Sequence, residues 1–344
     1  MSGDKNETIR RKKDHINLCI NDDVGFKKKT AGFENYSFEH YAITELNLNE
    51  IDLSTTFLGK KVSFPFLISC MTGGTEEAKN LNADLAVAAK MLNIPIGVGS
   101  QRQALESKEH HKTYKVVREN APNVPILGNI GAAQIVSLSD CVGSVETLVQ
   151  HIEADAMVIH VNPLQELLQK EGEPNFKGLL KAIEKLTREL TVPIIVKEVG
   201  SGIGKKAAKR LLDVGVKGID VAGAGGTSWA GVELLRNKIE SDIFWDWGIQ
   251  TARCIEDVSL LADDYDFSLI ASGGITSGIE IAKSIALGAD LAASARPIIK
   301  ELSQGGIDGV VKLIEDWFDT VKKIMYLTES INLVELNRSK LLNY

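Results

Sequence analysis

PIIVKEVGSGIGKKAAKRLLDVGVKGIDVAGAGG, Pro193–Gly226, holds one complete structural repeat. Its first part, Pro193–Gly200, is a continuous apolar run rich in β-branched residues, which predicts a strand buried on both faces. Gly204–Val214 carries apolar residues at helical spacing with cations on the opposite face. Gly218–Gly226 reads as a second buried strand. Strand, helix and strand joined by short turns predict parallel pairing through a crossover helix.

The same unit recurs along the chain. Further strand runs lie at Ser63–Cys70, Pro95–Ser100, Pro125–Gly131, Ala156–Asn162, Ser268–Ile275 and Ala289–Pro297, which with the first two makes eight. Amphipathic stretches such as Ala78–Leu92, Phe176–Leu190 and Gly278–Leu287 separate them. Eight strand–helix units predict an α/β fold of the (β/α)8 TIM-barrel type. A doubly wound open sheet is the competing arrangement. No GxGxxG directly follows the first strand, and eight equivalent units favour closure. The expected organisation is a single barrel domain over 1–344, with an N-terminal extension (1–62) covering the barrel, a core (63–300) and C-terminal helices (301–344). Gly306–Leu342 reads as one or two helices, with Trp317 and Phe318 in the core.

Composition narrows the function classes. The chain has 344 residues, 44% hydrophobic and 25% charged, which excludes disorder. No run approaches the ~18 apolar residues of a membrane span. The basic N-terminus lacks the apolar core of about 7–15 residues that a secretory signal needs. Cys19, Cys70, Cys141 and Cys254 form no CxxC pair, so reduced thiols and a cytoplasmic location are expected. With 39 basic against 46 acidic residues the net charge is −7, which argues against nucleic-acid binding.

Polar residues gather where the strand runs end, the face on which barrel active sites form. These are Met71-Thr72-Gly73, Ser100-Gln101-Arg102, Asn129, His160 with Asn162, Gln165 and Glu166, Lys197-Glu198, Thr227, Ser272-Gly273-Gly274 and Ala295-Arg296. Gly273-Gly274, matched by the glycines at 223–226, permit close backbone approach to an anion, and the helix after the seventh strand would add its N-terminal dipole. Lys197 on a buried strand needs a partner: a carboxylate such as Glu198, or an electron-rich cofactor such as a flavin. A Schiff-base role is equally open for the lysine alone. Two long connections, Pro163–Phe176 and Thr227–Gln250, are candidate lids. The second holds Trp229, Phe244, Trp245 and Trp247, which suit either an apolar lid or an oligomer contact.

Arg11-Lys12-Lys13-Asp14-His15, the MTGG at 71–74, the GSQR at 99–102 and the HVNPLQE at 160–166 together resemble one family. Lys197-Glu198-Val199-Gly200, the GAGGTSW at 223–229 and the SGGI at 272–275 extend the likeness in order. The family is the type II, flavin-dependent isopentenyl diphosphate isomerases. The resemblance implies a 1,3-allylic proton shift between isopentenyl and dimethylallyl diphosphate, with reduced FMN, Mg²⁺ and NAD(P)H as the priming reductant. It implies flavin contacts from Met71, Thr72, Gly73, Ser100, Asn129, Lys197 and Thr227, and phosphate contacts from Gly273, Gly274, Ala295 and Arg296. Arg11, Lys12, Ser100, Gln101 and Arg102 would face the substrate diphosphate. His160, Asn162 and Gln165 would border the allylic part, with Lys197 and Trp229 counted among the catalytic groups, and Glu166 would ligate Mg²⁺. A homotetramer or homo-octamer is the expected assembly. The rival is a 2-hydroxy-acid oxidase on the same barrel. That class normally needs a late histidine base, whereas the last histidine here is His160. A non-enzymatic flavin or diphosphate scaffold would not need Glu166 beside the cations.

Overall fold

The computed structural model describes Lys12, residues 14–239 and residues 241–343. Eight parallel strands close into a barrel in chain order. They are β1 (Phe66–Ile68), β2 (Ile96–Gly97), β3 (Ile126–Gly131), β4 (Ala156–His160), β5 (Ile194–Lys197), β6 (Gly218–Asp220), β7 (Ser268–Ser272) and β8 (Leu291–Ser294). Closure comes from β8 pairing with β1, Ala292 against Phe66 and Ser294 against Ile68. The open-sheet alternative is thereby excluded, and every strand run read in the sequence contributes one barrel strand.

Two apolar compartments hold the barrel. The larger lies between the strands and the surrounding helices. The smaller fills the barrel itself with Leu67, Leu127, Ala156, Val158, Ile195, Ile270, Leu291 and Ala293. A hairpin of Thr55–Phe57 and Lys60–Val62 inserts Phe57, 2% exposed, into that inner cluster. Each such burial contributes about 1.5–3 kcal/mol relative to exposure. Strand side chains alternate with period two. One step beyond Leu127, Val158, Ile195 and Ile270, the next inward positions are therefore Asn129, His160, Lys197 and Ser272. An apolar plug beneath a polar layer is thus written into the strands.

The chain's end departs from the helical expectation. A helix spans Arg296–Leu327 with a break at Gly306 (φ 64), and Trp317 and Phe318 are buried along it. The last described residues are not helical: Leu341–Asn343 pairs antiparallel with Tyr36–Phe38, tying this segment to the N-terminal extension. The four cysteines are free thiols. Among the described residues no helix is long and apolar enough to cross a membrane.

Candidate active site

The barrel register sets the site's floor. Gly131 pairs with His160, His160 with Lys197 and Lys197 with Asp220, so these residues share one level around the barrel. Lys197 is 9% exposed; its Nζ lies 3.2 Å from Asp220 Oδ2 and donates to Ser272 Oγ at 3.4 Å. Ser272 in turn donates to Asp220 Oδ1. The cation's carboxylate partner is therefore Asp220, not Glu198. The Glu198 side chain is buried elsewhere, where its Oε2 accepts backbone N–H groups from Val199, Gly200, Ser201 and Gly202. Burial raises the Glu198 carboxyl above its ordinary pKa despite those donors.

His160 Nδ1 sits 2.9 Å from Asn129 Oδ1, and Asn129 Nδ2 donates to Val98 O at 3.1 Å. With its amide so oriented, Asn129 requires the proton on Nδ1, which leaves Nε2 as an acceptor. Burial, then the charges of Lys197 and Lys12, push the imidazole pKa down to about 4. His160 is therefore neutral at physiological pH.

The anion-suited end lies across β6, β7 and β8. A Cβ on Gly226 would fall 2.4 Å from Gly274 N, and one on Gly274 (φ 73) would fall 2.8 Å from the carbonyl carbon of Gly225. These glycines allow two loops to pass backbone to backbone, a need separate from any ligand. The helix after β7 already has an anion at its start. Ser277 caps it, accepting from Glu280 N, and Glu280 Oε2 accepts from Thr276 N at 2.7 Å. Capping thus occupies part of this helix's start, while Gly273, Gly274, Ile275 and Thr276 before it line the cavity. The helix that starts at Arg296, after β8, has no side-chain cap, and Ala295, Arg296 and Pro297 line the cavity. Pro297 has no N–H, so the helix's first turn offers the Arg296 and Ile298 donors, which suit a phosphate. The Arg296 guanidinium holds the N-terminal segment, donating to Cys19 O at 2.9 Å and Asp22 O at 2.7 Å. Lys300, not singled out in the sequence, also lines this end.

At β1 and β2, Met71, Thr72, Gly73, Ser100 and Arg102 line the cavity. Gly73 is required sterically: a Cβ there would lie 2.0 Å from the Tyr114 ring. Tyr114 is fully buried and donates to Ser100 O at 2.7 Å. Lys12 Nζ donates to Gly73 O at 2.7 Å and Ser100 O at 3.3 Å, placing this cation at the cavity wall. Arg11 lies outside the described residues. Gln101 does not reach the cavity. It is fully buried, its Oε1 accepting from Asn129 N and its Nε2 donating to Leu148 O. It braces β3 and its outer helix.

The loops after β4 and β6 complete the wall. Asn162 Nδ2 donates to Gln165 Oε1 at 3.0 Å and Glu166 Oε1 at 3.1 Å, while Glu166 Oε2 accepts from Glu173 N at 2.8 Å. Gln165 Nε2 donates to Glu233 Oε1 at 3.2 Å, and His15 Nε2 lies 2.8 Å from the same oxygen. Glu233 has a fully buried side chain. Burial opposes its ionisation, yet hydrogen bonds from His15, Gln165 and Arg236 outweigh it and lower the carboxyl's pKa. Sequence reading missed Glu233, although a carboxylate within the apolar WAGVELL was a signal.

Thr227–Gln250, read as a candidate lid or oligomer contact, contains regular structure. A helix spans Trp229–Arg236, capped by Ser228. Trp229 lines the cavity edge-on to His15, with ring centroids 5.0 Å apart. Trp245 is buried and donates from Nε1 to Gly25 O at 2.7 Å, holding the N-terminal segment. Trp247 is 60% exposed and sits edge-on to Phe244.

Thr227, Gly273, Gly274 and the other lining groups above enclose one cavity of about 710 Å³, well within the range of cofactor sites. A family model for FMN-dependent dehydrogenases matches residues 5–121 and 132–343. An isopentenyl-diphosphate delta-isomerase of Chlorobium phaeobacteroides is 43% identical over 99% of this chain and 97% of its own length. One from Nostoc sp. is 43% identical over 98% of this chain and 97% of its own. A flavocytochrome b2 variant superposes with a TM-score of 0.70 at 19% identity, covering 95% of this chain and 82% of that one. A lactate oxidase of Pediococcus acidilactici gives 0.68 at 17% identity, covering 98% and 94%. These two likenesses concern the fold.

Fold and family match together define the class, a flavin barrel of the FMN-dependent dehydrogenase family. Within that family, the chain belongs to the type II isopentenyl-diphosphate delta-isomerases.

Proposed function

We propose that this chain interconverts isopentenyl diphosphate and dimethylallyl diphosphate by a 1,3-allylic proton shift, in isoprenoid biosynthesis. Reduced FMN, primed by NAD(P)H, and Mg²⁺ on the diphosphate are the accessory groups. The observation that carries this reading is the make-up of the cavity at the C-terminal ends of the strands. An uncapped helix N-terminus at Arg296 opens at one end, buried Lys197 forms the floor, and Lys12 and Arg102 stand in the wall.

The donor set fits FMN. Gly273, Gly274, Ala295 and the N–H groups that open the Arg296 helix suit its phosphate. Met71, Thr72, Gly73, Ser100, Asn129 and Thr227 would flank it, and Lys197 would sit against the electron-rich ring. Bound and reduced, the flavin supplies an electron-rich face and exchangeable protons. The protein's own groups do the rest. Lys12 and Arg102, with Arg11 outside the described residues, would hold the diphosphate. Neutral His160 keeps a proton on Nδ1 for Asn129 and an acceptor at Nε2. Gln165, held by Asn162 and Glu233, and Asn162 itself would border the allylic carbons. Trp229 and His15 cover the chamber and would keep water from a carbocation-like centre.

The Mg²⁺ assignment rests on donor chemistry. Among the described residues there is no cluster of three or more His, Cys, Asp or Glu able to hold a metal alone. Glu166, whose two oxygens accept one recorded bond each, retains lone pairs for a cation that takes its remaining ligands from phosphate and water. Glu166→Gln is expected to raise the Mg²⁺ concentration needed for half-maximal activity and to leave flavin content unchanged. Identical Mg²⁺ titrations in variant and parent would remove Glu166 from the metal.

The reaction is tested in deuterated water with anaerobically reduced, flavin-loaded protein. Dimethylallyl diphosphate formed from isopentenyl diphosphate should carry deuterium, because the added proton comes from an exchangeable donor. Oxidation of a 2-hydroxy acid with no isomerisation would instead select the oxidase reading.

A further inference from the structure

Arg236 lies on the helix Trp229–Arg236 and is only 10% exposed. Its Nη1 donates to Glu233 Oε2 at 2.7 Å and its Nη2 to Glu171 Oε2 at 2.7 Å. Its Nε stands 4.0 Å from Asp14 Oδ2 on the helical segment 14–21. One guanidinium therefore joins three chain segments: the N-terminal strap, the connection after β4 and the helix after β6.

The geometry at Glu233 gives this junction a use. Glu233 Oε1 faces His15 Nε2 and Gln165 Nε2; its other oxygen faces Arg236. Both oxygens meet donors, so the group is held as an acceptor. An acceptor there fixes the Gln165 amide one way round: its NH₂ goes to Glu233, and its Oε1 takes the proton of Asn162 Nδ2. Without Arg236, Oε2 would be a buried carboxylate oxygen without its recorded donor, an expensive state. The carboxylate would then turn or take up a proton, and the amide beyond it would lose its single orientation.

We propose that Arg236 is a positioning residue for the isomerisation: it anchors the Glu233 carboxylate, and through it sets the Gln165 amide against the allylic part of the substrate. This role rests on the isomerase reading above. Arg236 does not line the cavity, so its effect passes through the carboxylates it holds, Glu233 beside Gln165 and Glu171 at the cavity wall, and the Glu233 background in the test separates the two.

The test is a double-variant cycle on the flavin-loaded enzyme with isopentenyl diphosphate and Mg²⁺. Arg236→Met is expected to lower kcat about tenfold or more, with KM and flavin content near the parent's. Arg236→Lys should restore part of the loss, since an ammonium can reach Glu233 but not span to Glu171 as a fork. In a Glu233→Gln background, Arg236→Met should cost less than about twofold more, because the anchored group is already gone. Losses that multiply independently in the two backgrounds overturn the proposal, as does a drop in flavin content or a rise in KM that accounts for the loss. Should Arg236→Met fail to fold, the same cycle run with Arg236→Lys against Arg236→Gln gives the decision. Parent turnover separates the two claims. A parent that does not isomerise overturns the functional reading and this role with it. A parent that turns over while the cycle is additive overturns the role of Arg236 alone.

Discussion

Lys197→Met is expected to be the most damaging single substitution in the barrel. It leaves Asp220, 2% exposed, without its cation, and breaking a buried pair from one side costs about 3–5 kcal/mol. It also removes the only positive group in the polar layer formed by Asn129, His160, Asp220 and Ser272, the place proposed for the flavin ring. Turnover should fall by about 10²–10³, the usual effect of deleting one preorganised electrostatic group. The two losses separate in Lys197→Met/Asp220→Asn. That double variant no longer buries an unpaired charge, so its thermal midpoint should return most of the way to the parent's. Its flavin retention and turnover should stay low. Recovery of turnover together with stability would make Lys197 a purely structural residue.

A second large effect is expected from redox state. As purified in air, the flavin-loaded protein should be inactive with isopentenyl diphosphate and Mg²⁺. Anaerobic reduction by dithionite or NAD(P)H should switch it on. Many product molecules should then form per flavin with no return of the oxidised-flavin absorption band, because a proton shift consumes no electrons. Full activity in the oxidised state, or one flavin oxidised per product, would defeat the isomerase mechanism and leave the barrel and its anion end intact. This experiment also divides the chain from the oxidases whose fold it shares, since those must pass two electrons in every cycle.

Several site features were legible because they depend on near neighbours. Period-two alternation put Asn129, His160, Lys197 and Ser272 inward at the ends of apolar strands. The same rule, applied fully, forbids Glu198 as the partner of Lys197: consecutive strand residues face opposite sides. The Ser277–Glu280 capping box was likewise readable and marked the helix after β7 as side-chain capped, whereas no Ser, Thr, Asp or Asn stands directly before Arg296. The helix Trp229–Arg236 was hidden because its segment shows no obvious helical stripe, although Ser228 provides an N-cap.

Other assignments depended on residues far apart in the chain. Gln101 carries the same local pattern as Ser100 and Arg102, yet it turns into the wall to brace Asn129 rather than line the cavity. His15, Gln165, Glu233 and Arg236 come from three segments and meet around one carboxylate. Asp220 finds Lys197 because β5 and β6 are in register, and Ser272 joins them from β7. Patterning along the chain encodes which face a side chain takes and where an element starts or stops, since both follow from backbone geometry over a few residues. It does not encode which cation meets which carboxylate. That choice is made when the barrel closes, when strand register and the fold-back of the N-terminal strap bring distant charges within hydrogen-bond range, and burial makes only the paired arrangement affordable.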